Sequence, residues 1–299
     1  RQMLLEVNSY YIAGTTDNYI YLANYTAPKH ILKVSYDLGD TTHLRLQFVG
    51  NLPLSVQSPW IFIRQDKIYF ADRLSGYVYE GSLRDLKMRP YPLNDTERFT
   101  IFLPFFKSSF ITRSFDTSIQ QFVLKKYNYH SQGIKGLYVP DKNPDGIFGT
   151  DGMLHYSDQD TSFFFVPYYH NQLLKLDTSL RLIEKYKTID TVSTPSFRIA
   201  DLKSDRQLVI EGEHALANKR SYTNRQRLYV QSLLMAENED PESFKNCSLV
   251  DVYSTSDGSY LHSFYIPDLD GKKISSFVVS GKRLIVLYDF TLVIFTFTI

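Results

Sequence analysis

The chain of 299 residues holds one cysteine, Cys247. An internal disulfide framework is therefore impossible, and a cysteine-rich zinc site is excluded with it. Cys247 follows a polar stretch and precedes an apolar one without an activating context, so it reads as a packed residue rather than a nucleophile. An excess of charge of either sign is lacking too. Lys and Arg number 33 and Asp and Glu 32, a net charge of +1, which excludes a nucleic-acid or anionic-membrane binder held by bulk charge. The most apolar stretch, residues 284–299, is interrupted by Asp289 and is shorter than the roughly 20 residues of a spanning helix. Helical periodicity is absent, and only the region from Arg198 to Leu216 is ambiguous. No G-x-S-x-G elbow, P-loop, H-E-x-x-H or sialidase-type Asp box occurs. Paired carboxylates drawn from separate repeats stay open, because sequence spacing says nothing about them.

What is present is aromatic. Tyr (23) and Phe (21) dominate against a single Trp, and such residues favour pleated, half-buried surfaces. Hydrophobic residues at 43% and charged residues at 22% give a globular composition. The aromatics fall in a repeat. A short apolar strand ends in a polar pair, a turn follows, and a second strand begins. The cores are Ile20-Tyr21-Leu22, Ile68-Tyr69-Phe70, Ser109-Phe110-Ile111, Phe163-Phe164-Phe165, Leu228-Tyr229-Val230 and Leu284-Ile285-Val286, at spacings of 48, 41, 54, 65 and 56 residues. The shortest spacing is that of a four-stranded propeller blade, and the longer ones imply loop insertions. The second copy parses as PWIFIRQ, DKIYFADRLSG, YVYEGSL and KMRPYPL, and the fourth parses the same way. Such a sheet cannot bury both faces alone; radial stacking buries them and leaves only short edges. The predicted fold is all-β, one six-bladed β-propeller over residues 1–299 with four-stranded antiparallel blades. The last copy has three strands, SFVVSG, RLIVLYD and TLVIFTFTI, and the N-terminal MLLEV (3–7) is expected to supply its missing outer strand. A pair of β-sandwiches and an open solenoid are the competing architectures.

Propeller geometry tells where chemistry could sit. Loops that join second to third strands, and outer strands to the next inner strand, share one face, and ligands favour the concave mouth there. The residues after each core are Asn24-Tyr25, Asp72-Arg73, Arg113-Ser114, Pro167-Tyr168, Ser232-Leu233 and Tyr288-Asp289, different in every copy. Variable tips on a constant frame suit a binding face, although surface loops also vary freely. Asp72, Arg73 and Arg113 are rim candidates in the second and third copies. The fourth is richest: Asp151 is expected to enter its inner strand, His155 to lie along the channel, and Tyr168, Tyr169 and His170 to stand at the rim. Stacking and hydrogen bonding there would suit a sugar, peptide or aromatic ligand; the plainer reading packs both tyrosines between blades. The long connection from Thr191 to His214, with Arg198, is expected to lie across the mouth, unless it hides an unrecognised strand. Asp141, Asn143 and Asp145 match the first half of a calcium loop, but Gly152 stands where its bidentate Glu belongs; a conformational turn gives the same string, and no cofactor is expected. His155 and His214 could meet if both lie on neighbouring inner strands. Sequons occur at Asn24, Asn94 and Asn246.

The phrase KIYFADRLSGYVYEGSL and the segment TDGMLHY…FFFVPYYHNQLLKLDTSLRLIEKYKTIDT, with RLYVQSLL and SLVDVYSTSDGSYLHSFYIPDLDGKKISSF, resemble six-bladed propellers of the TolB-like and NHL-like superfamily. More narrowly they resemble a group from Bacteroidetes-type cell envelopes. The resemblance is structural and carries no catalytic residue. It implies export, with a periplasmic or outer-membrane location. The start at Arg1 is expected to be that of a trimmed mature form, with targeting information and a lipid anchor upstream. The expected function is a monomeric, non-enzymatic module that binds a protein, peptide or glycan of the envelope. The alternatives are a propeller hydrolase or lyase with a metal at the channel mouth, and a purely structural scaffold.

Overall fold

The computed structural model describes residues 1–50, 59–91, 98–106, 108–143, 145–195, 198–202, 207–211, 216–237 and 239–297. Strand β1 (Gln2–Leu4) opens the chain, followed by blade 1: β2 (Tyr10–Thr15), β3 (Tyr19–Asn24), β4 (His30–Ser35) and β5 (Thr41–Arg45). Blade 2 contains β6 (Gln47–Phe48), β7 (Pro59–Arg64), β8 (Lys67–Asp72), β9 (Tyr77–Ser82) and β10 (Lys87–Tyr91). Blade 3 is β11 (Phe99–Phe105), β12 (Ser109–Asp116), β13 (Gln121–Asn128) and β14 (Ser131–Tyr138). Blade 4 is β15 (Gly152–Ser157), β16 (Ser162–Pro167), β17 (Gln172–Asp177) and β18 (Leu182–Lys187). A separate two-stranded sheet follows, β19 (Arg198–Leu202) and β20 (Gln207–Glu211). Blade 5 is β21 (Asn218–Asn224), β22 (Arg227–Ser232), β23 (Cys247–Ser254) and β24 (Tyr260–Pro267), with helix α1 (Pro241–Asn246) between β22 and β23. Blade 6 is β25 (Ser276–Ser280), β26 (Arg283–Leu287) and β27 (Thr291–Thr296).

Five blades are meanders in chain order, and blade 2 carries β6 as a fifth, outer strand paired parallel to β10. In blade 6 the order is β1-β27-β26-β25. Gln2, Met3 and Leu4 pair antiparallel with Val293, Leu292 and Thr291, so the N-terminal strand completes the last blade, as the sequence led us to expect. The fold is an all-β, six-bladed β-propeller.

The chain divides into two compact units. Unit 1 comprises residues 1–115, 124–137 and 268–299; unit 2 comprises 116–123 and 138–267. In each, the second strand of a blade is covered on both faces. Strands β3 and β8 are buried beyond their first residue, and β16 throughout. Outer strands such as β5 and β18 are mostly exposed. In unit 1, blades 1 and 2 meet through Tyr11, Ala13, Tyr21, Ile61, Ile63, Phe70 and Tyr79. Blades 2 and 3 meet through Tyr69, Ala71, Val78, Phe99, Phe102 and Phe110, with Tyr91, Tyr127 and Tyr129 at the margin. In unit 2, blades 4 and 5 share Phe164, Val166, Leu173, Leu228, Val230 and Tyr253. Fully burying one such side chain contributes about 1.5–3 kcal/mol relative to leaving it in water.

The connection expected to cross the mouth contains an unrecognised hairpin, β19–β20, in register from Arg198↔Glu211 to Leu202↔Gln207. Helix α1 was not legible, since six residues cannot display a 3.6-residue period; its start is marked by Asp240, whose carboxylate accepts the Ser243 amide at 2.9 Å.

Inner strands of unit 1 pack so closely that β2 needs a glycine. A Cβ on Gly14 would lie 2.1 Å from the Ile63 carbonyl oxygen on β7. Gly14→Ala is expected to lower unfolding stability by about 1–3 kcal/mol, the range for overpacking, seen as a lower urea midpoint. Gly39→Ala, whose Cβ meets only the Asp37 carboxyl at ordinary contact distance, should stay within about 0.5 kcal/mol.

Candidate functional site

In unit 1 the ends of β3 and β8 and the start of β7 come together, because Pro59 pairs with Asp72 and Trp60 with Ala71. The two tips are held by side-chain caps. The Asn24 Oδ1 accepts from the Thr26 and Ala27 amides at 2.8 and 3.0 Å and from the Ser9 and Thr26 hydroxyls. Asn24 is buried, so its sequon is explained by an Asx turn. Asp72, fully buried, accepts from the Leu74 amide and the Ser75 hydroxyl. It is a positioning residue for the tip, while its neighbour Arg73 lies half-buried beside Trp60.

Between these caps stands an aromatic cluster. Tyr25, 49% exposed, lies with its ring 4.4 Å from that of Tyr11 and 6.2 Å from Trp60, edge to face. Tyr11 is 5.4 Å from Trp60, and Trp60 stacks on Phe62 at 6.1 Å. The Arg73 guanidinium sits 5.2 Å from the Trp60 ring centre. Burial lowers the Arg73 pKa from its ordinary value, against the opposing pull of Tyr25, Tyr11 and Asp72. Burial also raises the Tyr11 phenol, whose oxygen accepts the Ile61 amide at 2.8 Å. The result is a half-exposed aromatic floor beside a partly desolvated cation, suited to stacking a flat ligand and meeting an anionic group. Sequence reasoning named Arg73 and missed Trp60 and Tyr11, which come from the first strands of two different blades.

Arg113 does not join this tip. Strand β12 runs on to Asp116, so Arg113 lies inside it, opposite Ile101, 2% exposed, with Nη1 donating to the Thr100 hydroxyl at 2.9 Å.

In unit 2 the tip after β16 is tied down. Asn218, 1% exposed, donates through Nδ2 to the Pro167 and His170 carbonyls, and the Tyr168 carbonyl accepts the Ala217 and Asn218 amides. Tyr169 and His170 are consequently buried, and Tyr168 is half-buried, edge-on to Tyr169. Burial lowers the His170 pKa, opposed by the Gly149 backbone and by Asp190. Asp151 is half-buried at the entry to β15 and accepts the Gly152 amide. A cavity of about 200 Å³ lies beside this tip, walled by Phe165, Pro167, Leu174 and Pro140 and edged by Gln172, His170 and Asn143.

The Asp141-Asn143-Asp145 string is shaped by its own turn. Asp145 accepts the amides of Ile147, Phe148 and Gly149, and Asp141 is paired with Lys185. Among the described residues no three His, Cys, Asp or Glu side chains converge as a metal site. His155, in the middle of β15, has Nε2 2.6 Å from the Ser221 hydroxyl on β21. His214 and Asn94 lie outside the described residues, and of Arg198 only the backbone is described, as the first residue of β19.

No family model and no curated protein matches the chain. Solved structures do. A member of the DUF4221 family from Bacteroides vulgatus is similar at a TM-score of 0.64 and 12% identity, over 99% of this chain and 95% of the other. Virginiamycin B lyase from Staphylococcus aureus is similar at 0.55 and 12%, over 98% and 97%. Its catalytically inactive variant with quinupristin is similar at 0.55 and 9%, over 100% and 99%. At such identity the likeness establishes the propeller fold and no residue role.

Desolvation lowers the His155 pKa from its usual 6.5 to about 4. The unfolded chain therefore takes up this proton at a higher pH than the folded protein does. The neutral ring's contribution is fully present above about 6.5 and is lost as pH falls through about 4. His155→Gln is expected to flatten that part of the profile, narrowing its stability difference from the wild type at pH 4.5 relative to pH 7 in urea titrations. Parallel profiles for the two proteins would contradict the shift.

Proposed function

We propose that this propeller is a ligand-binding module, and that its ligand is an envelope glycan carrying an acidic group. The sugar face stacks on Tyr25 and Trp60, and the acidic group meets Arg73. The observation that carries the reading is the half-exposed Tyr25–Trp60–Arg73 cluster, held by capped tips that need little rearrangement to bind. An aromatic side chain left half in water contributes little to folding and offers its face at low entropic cost to a partner. A guanidinium already partly stripped of water favours an anion over continued isolation.

Export to the periplasm or outer membrane, as for TolB-like and NHL-like envelope propellers, belongs to this reading. It is supported by the sequence resemblance and is consistent with the Bacteroides neighbour. No helix among the described residues is long and apolar enough to cross a membrane. The lyase neighbours supply a fold precedent for a propeller enzyme; among the described residues no three His, Cys, Asp or Glu side chains converge to favour the metal-dependent form of that reading here.

Trp60 is the sole tryptophan, so tryptophan fluorescence excited to the red of the tyrosine absorption reports this patch alone. Titration with uronic-acid-containing oligosaccharides is expected to shift and quench the emission saturably. Tyr25→Ala should weaken binding roughly 10-fold or more, given about 1–3 kcal/mol per stacked ring by analogy with base–aromatic stacking. Arg73→Gln should remove the preference for acidic over neutral sugars. Saturation by acidic or aromatic peptides and not by sugars would replace the glycan with a peptide ligand. No response to either class would remove the binding reading from this patch.

A further inference from the structure

At the outer edge of blade 1 two imidazoles meet head to head. Strand β5 is the edge of its sheet, and β4 pairs with it so that Leu32 faces His43 and His30 faces Arg45. His30 and His43 are thus diagonal neighbours on one face, within reach of each other's long side chains. Their ring centres are 5.0 Å apart, with planes at 35°, and His30 Nε2 lies 2.8 Å from His43 Nδ1. A contact between two imidazole nitrogens holds one proton, with one ring donating and the other accepting. Two protonated rings would set like charges head on. Desolvation, and then the neighbouring His43, hold the His30 pKa below its usual value, with Glu6 pulling the other way. In that arrangement one of the two facing nitrogens is a lone-pair acceptor aimed into the gap.

We propose that His30 and His43 together form a binding site for a divalent transition-metal ion, with zinc, nickel and copper(II) as the fitting class. The ion takes the place of the shared proton, which passes through solvent to the far nitrogen of its own ring, so both imidazoles bind as neutral ligands. Metal–imidazole bonds of about 2.0–2.1 Å at a near-tetrahedral angle place the two nitrogens ~3.3 Å apart and the two ring centres ~5.2 Å apart. The ring centres already stand at nearly that separation, so the rings need only turn in place and open the nitrogens by about 0.5 Å. His43 is exposed and His30 is half-buried, which leaves them room to do so. Exposed Glu6 supplies a nearby negative charge that favours a cation. Arg45, across from His30 on the same face, counts against one. Remaining coordination positions belong to water, so the site is open and weaker than a closed structural zinc centre. The residues of the Asp141–Asp145 string take no part in it.

The test is calorimetric titration of untagged, metal-free protein with zinc, nickel and copper(II) salts at pH 7.5. One equivalent is expected to bind, copper(II) more tightly than nickel or zinc, in the usual divalent order. Removing a ligand should cost at least the roughly 10-fold that removing one of its supporting partners costs. His43→Ala, at an exposed position that folding does not depend on, should therefore weaken binding by about 10-fold or more, and His30→Ala likewise. Arg45→Ala should tighten it. Circular dichroism of each variant separates loss of the site from loss of fold. Absence of a one-equivalent event, or an unchanged isotherm in folded His43→Ala, would overturn the proposal.

Discussion

Burial of the second strand of each blade on both faces is the constraint from which the remaining features follow. Ile20, Ile68, Phe110, Phe163, Leu228 and Leu284, each the second residue of its strand, are all buried. A single sheet covers neither face of such a strand, so each blade requires a neighbour on either side. Close stacking then decides local detail. Gly14 is needed where β2 meets the β7 carbonyl, and aromatic edges interlock where blade 2 meets blade 3, as between Tyr91 and Phe110 at 5.6 Å. Blade 6 lacks a fourth strand of its own, and borrowing β1 gives it one while removing the exposed edge of β27.

The same frame fixes the tips. A rigid pair of strands delivers each loop to a defined place, and the loop then needs only its own cap. Asn24 and Asp72 provide those caps in unit 1, and Asn218 clamps the tip of blade 4 within unit 2. The difference between the caps separates an exposed aromatic surface from packing. Capping by a residue of the loop itself leaves Tyr25 half in water. Clamping by the first strand of the next blade draws Tyr169 and His170 inside.

Blade number, strand order and the role of the N-terminal strand were legible because two-sided burial writes continuous apolar runs, and because a missing fourth strand can be counted. Strand ends were less legible. In β12 the run Phe110-Ile111-Thr112 passes through Arg113 and Ser114 to Phe115 without a turn residue, so the tip was placed too early. The β19–β20 hairpin escaped because its residues mix charge with apolar side chains and lack the clean repeat of the blades. The aromatic surface of unit 1 was half legible. Arg73 follows a recognisable strand end, but Tyr11 and Trp60 belong to inner strands of two successive blades, which the hydrogen bond between Tyr11 and Ile61, 50 residues apart, brings together. The His30–His43 contact had a faint signal: both lie in the only first-blade hairpin in which histidines flank an alternating strand pair, yet their register is visible only once β4 and β5 are aligned.

A propeller divides its surface by chemistry as well as by position. Inner strands must satisfy close packing, so a polar group there is neutralised, as His155 is by desolvation, with Ser221 in hydrogen-bond contact. Outer strands face water and carry whatever charge solubility requires, so a pair such as His30 and His43 persists there at little cost in stability. The tips lie between these limits: partly desolvated, which strengthens polar contacts, and still accessible. Arg73 occupies that intermediate zone, half-buried beside an aromatic ring, and the ligand site proposed at the unit 1 tip rests on this combination more than on any single residue type.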